Sequence, residues 1–210
     1  INHISITTLT TRTKWDLTKL SLAANNIGPR GATLLAQYQG WPNLTRLELS
    51  EANISDEGAI ALSKNTSWRK LTGLLLRKNG ITERGVEALS KNELWNELAE
   101  LDLSNNHFGA LGAKHLGSNK SWTKLRDLQL YDCDIKDEGV VFLAQNTSWS
   151  SLIHLDLSFN AVEDEGAKAI ANSIWKKLNS LDMSGNPIGE EFQSLLKDGR
   201  EWDFITFAEQ

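Results

Sequence analysis

Seven stretches of this chain repeat one order of apolar and polar positions. They read LTKLSLAANNI from Leu17, LTRLELSEANI from Leu44, LTGLLLRKNGI from Leu71, LAELDLSNNHF from Leu98, LRDLQLYDCDI from Leu125, LIHLDLSFNAV from Leu152 and LNSLDMSGNPI from Leu178. An eighth, FITFAEQ, starts at Phe204, and Ile1 and Leu9 align with Ile27 and Leu35. Alternation of leucine with other residues has the two-residue period of a short strand, with the leucines on one face. A polar column follows at Asn25, Asn79, Asn106, Asn160 and Asn186, with Cys133 in the same slot and Asn53 one step late beside Ala52. Side chains of this kind satisfy backbone groups in the turn that leaves the strand.

Acid-rich stretches come next, SDEG from Ser55, TERG from Thr82, KDEG from Lys136 and EDEG from Glu163, each leading into an apolar run. Ser55 and Thr82 are placed to cap helices, and acids in the first turn complement the helix dipole. The pairs Ala32 and Leu35, Ala59 and Leu62, Ala113 and Leu116, and Ala167 and Ile170 lie three apart, so each helix has one inward stripe. Strand, turn, helix and return in a fixed period require parallel strands joined by right-handed crossovers. Helices are about 10 Å across and strands about 4.8 Å apart, so the array bends with its strands inside. The pattern predicts one α/β solenoid over residues 1–210. It divides into a partial unit over 1–16, full units starting at 17, 44, 71, 98, 125, 152 and 178, and a truncated unit over 204–210.

The tryptophans keep the same clock. Trp15, Trp41, Trp68, Trp95, Trp122, Trp149, Trp175 and Trp202 are separated by 26, 27, 27, 27, 27, 26 and 27 residues. Each falls at the return from helix to strand, where successive rings are expected to stack behind the sheet and seal the core. A binding site needs differences between units, so function is expected on the opposite face.

These residues resemble the leucine-rich repeat superfamily, and within it the ribonuclease-inhibitor-like subfamily, whose pattern LxxLxLxxN/CxIxxxGaxxLa is matched over residues 17–203. Glycines at 31, 58, 85, 112, 139 and 166 fit it, whereas Phe192 stands where glycine is expected and implies a differently packed last helix. The resemblance implies a horseshoe with a parallel β-sheet on its concave face and helices on its convex face. It also implies a non-catalytic function, binding another protein on the concave face, as ribonuclease inhibitor does when it covers its target's active site. The chain looks like effectors that bacteria deliver into host cytosol and like the sensor arm of cytosolic receptors. A second implied function is that of a Ran-type GTPase-activating protein, with Arg77 and Arg84 as the candidate arginines.

The 210 residues are 40% hydrophobic and 23% charged, with a net charge of −5 and both signs interspersed. That is a globular composition without the clustered basic patch that nucleic acid or an anionic membrane requires. No apolar run approaches the roughly 18 residues of a membrane span, and no signal-peptide pattern is visible. One cysteine, Cys133, excludes an intrachain disulfide and fits a reducing compartment. Sequons occur at Asn43, Asn53, Asn65, Asn119 and Asn146. Asn53, beside the turn column, is expected to be buried where a glycan has no room, which favours a cytoplasmic location; a monomer is expected.

Little chemistry is on offer. His154, Asp156 and Ser158 alternate along one strand, but residues two apart sit roughly 6.5–7 Å apart, outside triad geometry. Asp156 and Ser158 also restate a motif present as Asp102 and Ser104 and as Asp182 and Ser184. The histidines at 3, 107, 115 and 154 share no ligand spacing, and Asp156 with Asp182 could hold only a weakly bound hard cation. FGALGA from Phe108 lacks the phosphate-loop fingerprint. No catalytic residue, metal or cofactor is expected.

The third, fifth, seventh and eighth positions of each unit are expected to face solvent, Ser104 and Ser158 among them. Leu75, Arg77, Lys78, Tyr131 and Phe159 depart from the small polar pattern of that face, and aromatic and Arg side chains carry much of the energy at interfaces. Tyr131 and Phe159 come from adjacent units and are expected to form one patch. Arg77 and Lys78 lie to one side. Glu100, Asp102, Asp127, Asp132, Asp156 and Asp182, with His154 among them, make the C-terminal half acidic. The expected partner is a protein with a basic surface patch, attracted less as salt rises.

Overall fold

The leucine alternation forms strands only three residues long, each paired with the same positions of the next unit. A computed structural model describes residues 1–12, 15–199 and 203–207. Trp202 and the last three residues of the truncated unit lie outside the described residues. The strands β1 (Lys19–Ser21), β2 (Arg46–Glu48), β3 (Gly73–Leu75), β4 (Glu100–Asp102), β5 (Asp127–Gln129), β6 (His154–Asp156), β7 (Ser180–Asp182) and β8 (Phe204–Thr206) build one parallel sheet in chain order. Between and before them run the helices α1 (His3–Arg12), α2 (Gly28–Gln37), α3 (Ser55–Leu62), α4 (Glu83–Ser90), α5 (Gly109–Ser118), α6 (Lys136–Ala144), α7 (Asp164–Ala171) and α8 (Glu190–Asp198). The architecture is the α/β solenoid that the period predicts.

In register, Leu47, Leu74, Leu101, Leu128, Leu155 and Leu181 form one buried column under the sheet. Helices come close enough to seal it because glycine replaces a side chain on their inner face. A methyl group at Gly139 would sit 2.4 Å from Ile135 Cγ2 and 3.0 Å from Ala113 Cβ of the preceding helix. Where Phe192 stands instead, α8 buries only Leu196.

The polar column does what a buried turn needs. Asn106 Oδ1 accepts from the backbone N–H of Asn79 (2.9 Å) and Ile81 (3.0 Å), and its Nδ2 donates to Leu76 and Leu103 carbonyls. Asn79, Asn160 and Asn186 do the same for their own preceding units. Cys133 fills the slot with half the function: its Sγ donates to the Leu103 carbonyl at 3.3 Å. Burial pushes the thiol's pKa far up, which keeps it protonated.

A second asparagine ladder, additional to the expected one, holds the opposite end of the helices. Asn65, Asn92, Asn119 and Asn146, each three residues before a tryptophan, are buried. Asn146 Oδ1 accepts from the N–H of Ser148 and Trp149, and its Nδ2 donates to the Gly117 and Asn119 carbonyls of the previous unit. The signal for it was the repeated N-x-x-W.

Four expectations are corrected. Ser55 and Thr82 make no side-chain cap. The cap comes from the neighbouring unit, because Asp56 Oδ1 accepts from the N–H of Thr82 (2.8 Å) and Gly85 (3.1 Å), and Asp137 serves Glu163 and Gly166 likewise. Asn53 is exposed, in the left-handed region at φ 56°. The sequons without room for a glycan are Asn65, Asn119 and Asn146. Trp15 is 58% exposed, whereas Trp41, Trp68, Trp95, Trp122, Trp149 and Trp175 are buried. Among these rings, Trp149 and Trp175 come into contact, with centroids 5.9 Å apart. Ser104 and Ser158 are buried as well.

Candidate functional site

The eighth position of each unit leaves its strand in one uncommon backbone conformation. Ala24, Glu51, Lys78, Asn105, Asp132 and Phe159 all have φ between 51° and 56°, and Gly185 has φ 68°. Glycine, asparagine and aspartate tolerate this region, whereas a bulky aromatic is a genuine outlier there. Phe159 is that outlier, and its side chain is 54% exposed. Its N–H is fixed by the Ser184 carbonyl at 2.8 Å. Its ring lies over Gly185, where a methyl group would come within 2.8 Å of Phe159 Cδ1.

Tyr131 packs beside it, with ring centroids 5.3 Å apart at 57°. The Arg77 guanidinium lies over the Tyr131 ring, 5.9 Å from the centroid, and its Nε donates to Asn105 Oδ1 at 3.0 Å. Asn105 Nδ2 donates in turn to Asp132 at 3.0 Å. Arg77, Tyr131, Asp132 and Phe159 therefore form one strip across the strand ends. Buried Ser104 holds the same position in the unit between Arg77 and Tyr131, and a small side chain there is compatible with the reach of Arg77 across it. Arg77 thus joins the region expected to be acidic rather than standing apart from it.

The other candidates divide. Lys78 Nζ sits 3.2 Å from Glu51 Oε2, both largely exposed. Leu75, on β3, is half-buried and pairs in register with Asp102. Asp102 Oδ1 accepts from the Ser104 N–H at 2.9 Å, a local bond that Asp156 and Asp182 repeat with Ser158 and Ser184. Asp127 accepts from the Gln129 amide and lies in register with His154, which is exposed. Glu100 is removed from the acidic set. Arg46 reaches it from two strands away, with Nη2 2.9 Å from Oε1 and Nη1 bonded to Oε2. Gly73 makes that reach possible, since a methyl group there would lie 2.9 Å from Arg46 Nη1.

Over β6 and β7 the sheet floor forms a depression of about 180 Å³ bounded by Gln129, His154, Asp156, Ser180, Asp182 and Phe204. Burial raises the Asp156 carboxyl above its usual range, against bonds from Ser158. Burial also pushes Asp182 up, but hydrogen bonds from Ser184 and the Thr206 hydroxyl (2.7 Å) outweigh it and hold the group low. The Ser158 hydroxyl donates to Asp156 rather than meeting His154, so these three residues do not form a relay. Among the described residues no three His, Cys, Asp or Glu gather closely enough to hold a metal ion. Nor are Arg77 and Arg84 engaged together. Arg84 belongs to the surroundings of Glu57, whose carboxyl is held low first by the Ser55 hydroxyl and least by Arg84.

Arg46, Gly73, Asn105 and Gly185 were not among the sequence candidates. Same-column pairs such as Asn105 with Asp132 were readable from the period. Arg46 with Glu100, two units apart, was not.

Family models described as leucine-rich repeat match residues 16–36, 42–63, 98–117, 123–144 and 150–171, and a second such model matches 177–198. The unmatched third unit is the one that carries Gly73, Arg77 and Lys78. No curated protein matches the chain. Among solved structures, the chain is similar to one from the Rad7 and Elc1 complex in yeast, at 16% identity and TM-score 0.51, over 99% of this chain and 60% of that one. It is also similar to an internalin from Listeria monocytogenes, at 20% identity and TM-score 0.53, over 98% and 64%. At such identities the likeness is one of fold, and this chain spans less than two thirds of either neighbour.

Proposed function

The chain belongs to the leucine-rich repeat family, and on that premise we propose that it is a non-catalytic protein-interaction module of the ribonuclease-inhibitor-like kind. It holds a partner protein on its strand face, over the strip formed by Arg77, Tyr131, Asp132 and Phe159, with Leu75, Lys78, Asp102, Asp127, His154 and Asp156 around it. The observation that carries this reading is Phe159. An exposed aromatic in a left-handed conformation costs on the order of 1–2 kcal/mol relative to residues suited to that region. Nothing in the fold requires it, because the same turn is made by Ala24, Asn105 and Gly185. A fixed aromatic ring beside a second ring and an arginine is the composition of an interface anchor.

The partner has a basic surface patch and is an enzyme whose active site the module occludes. A compartment without glycosylation or disulfide oxidation suits the chain, since Asn65, Asn119, Asn146 and Cys133 are all buried and hydrogen-bonded. No helix among the described residues is long and apolar enough to cross a membrane.

The test is affinity capture with the wild-type chain and with Tyr131→Ala/Phe159→Ala, followed by identification of the bound proteins. Specific partners should vanish with the double variant while its melting temperature stays within a few degrees. Retention of the same partners sinks the proposed site.

A further inference from the structure

The strand face is charged unevenly once its internal bonds are counted. Over β2 to β4, Arg46 is bonded to Glu100, Lys78 to Glu51, and Arg77 to Asn105 and the Tyr131 ring. Over β6 and β7, Asp156 and Asp182 accept only from Ser158, Ser184 and Thr206, and neither has a cation within salt-bridge distance among the described residues. These carboxylates line the depression of about 180 Å³, whose rim includes the exposed Phe204 ring. The aromatic pair, exposed Phe159 with half-buried Tyr131 against it, lies at the strand ends beside it. Asp156 and Phe159 are three positions apart, at most about 10 Å, the reach of two to three residues of an extended chain.

We infer that the segment docking on this half of the sheet is an extended stretch of the partner, whose lysine or arginine enters the depression between Asp156 and Asp182 while an apolar residue two or three positions away lies on Tyr131 and Phe159. This rests on the strand face being the binding face. Charge complementarity selects the occupant. The two carboxylates are satisfied by neutral donors alone, so an incoming cation gains their attraction without breaking an existing ion pair. An acidic or purely apolar segment meets two unpaired charges instead, and like-charge juxtaposition is strongly unfavourable.

A random-sequence peptide display library, selected on the whole chain at low salt, tests the inference. The enriched peptides should carry Lys or Arg with an apolar residue two or three positions away. A synthetic enriched peptide should lose about tenfold or more in affinity for Asp156→Asn/Asp182→Asn, the size expected for losing a partly desolvated charge pair. Asp156→Asn alone, which keeps an acceptor for Ser158, should lower affinity in the same direction. This single variant guards against failure of the double one to fold. Replacing the peptide's basic residue with glutamate should abolish binding. Failure to enrich any peptide, enrichment of peptides without a cation, or equal binding to the asparagine variants overturns the inference. Peptides without a cation that nevertheless fail to bind Phe159→Asn would leave the face reading standing. Peptides indifferent to Phe159→Asn overturn both.

Discussion

The two halves of the strand face both carry charged side chains and make opposite use of them. Over β2 to β4, cations and anions close on one another, most completely where Arg46 spans Gly73 to reach Glu100. Over β5 to β7, the acids are bonded to neutral donors, and the exposed ring of Phe159 stands beside them with Tyr131 against it. A count of charges along the face does not show which of them are already engaged. What differs is the availability of each charge, and a single glycine decides much of it.

Removing the support common to both halves gives the largest expected effect. Asn106→Ala strips acceptors from two buried N–H groups and a donor from two carbonyls, which should cost about 3 kcal/mol. In denaturant melts that variant should lose stability without altering the difference between the halves. A loss below about 1 kcal/mol would show the ladder to be dispensable. Arg46→Ala then attacks the closed half alone. The pair is half-exposed, so solvent screening keeps the expected loss to about 1 kcal/mol or less. Glu100 is freed, and retention of a basic peptide at low salt should rise; unchanged retention would mean that the closed half is not closed by this pair.

Phe159→Asn sharpens the contrast in the open half. Relief of left-handed strain offsets the lost ring contact, so stability should stay unchanged or rise by up to about 0.5 kcal/mol. A loss above 1 kcal/mol would make Phe159 a structural residue and remove the main support for the proposed site. The smallest effect is electrostatic. The Asp156 carboxyl is raised in the fold, so its charge disfavours folding at neutral pH, and that penalty disappears as the group protonates. Asp156→Asn should therefore melt slightly above wild type at pH 7, with the gap closing as the pH falls toward the ordinary aspartate range, about 4. Asp182 has the opposite sign: its lowered pKa adds stability above the ordinary range, which is lost as the pH falls through the folded value. An Asp182→Asn variant more stable than wild type at pH 7 would contradict the assignment of its hydrogen bonds.

Much of the fold was legible because the repeat compares each residue with six others in the same environment. The Leu47–Leu74–Leu101 column, the Asn79 and Asn106 turn and the close-approach glycines follow from that comparison alone. Within the site, Tyr131 and Phe159 stood out as departures from their columns, and the structure brings them together. Neighbour-to-neighbour exchange was harder to see. Helices capped by Asp56 or Asp137 of the preceding unit look, in sequence, like helices carrying ordinary first-turn acids.

By itself, then, the sequence determined the architecture of this protein: period, strand and helix order, core columns and the face left variable. Those properties depend on local pattern and on identical contacts between consecutive units, so one dimension contains them. Only the tertiary structure decided which variable residues remain free to meet a partner. That depends on contacts reaching across two units, as Arg46 does to Glu100 and Arg77 to Tyr131. It depends also on the backbone sign at position 159, which aims an exposed ring outward. Side-chain reach over a neighbouring glycine or serine sets those contacts, and no spacing along the chain encodes it.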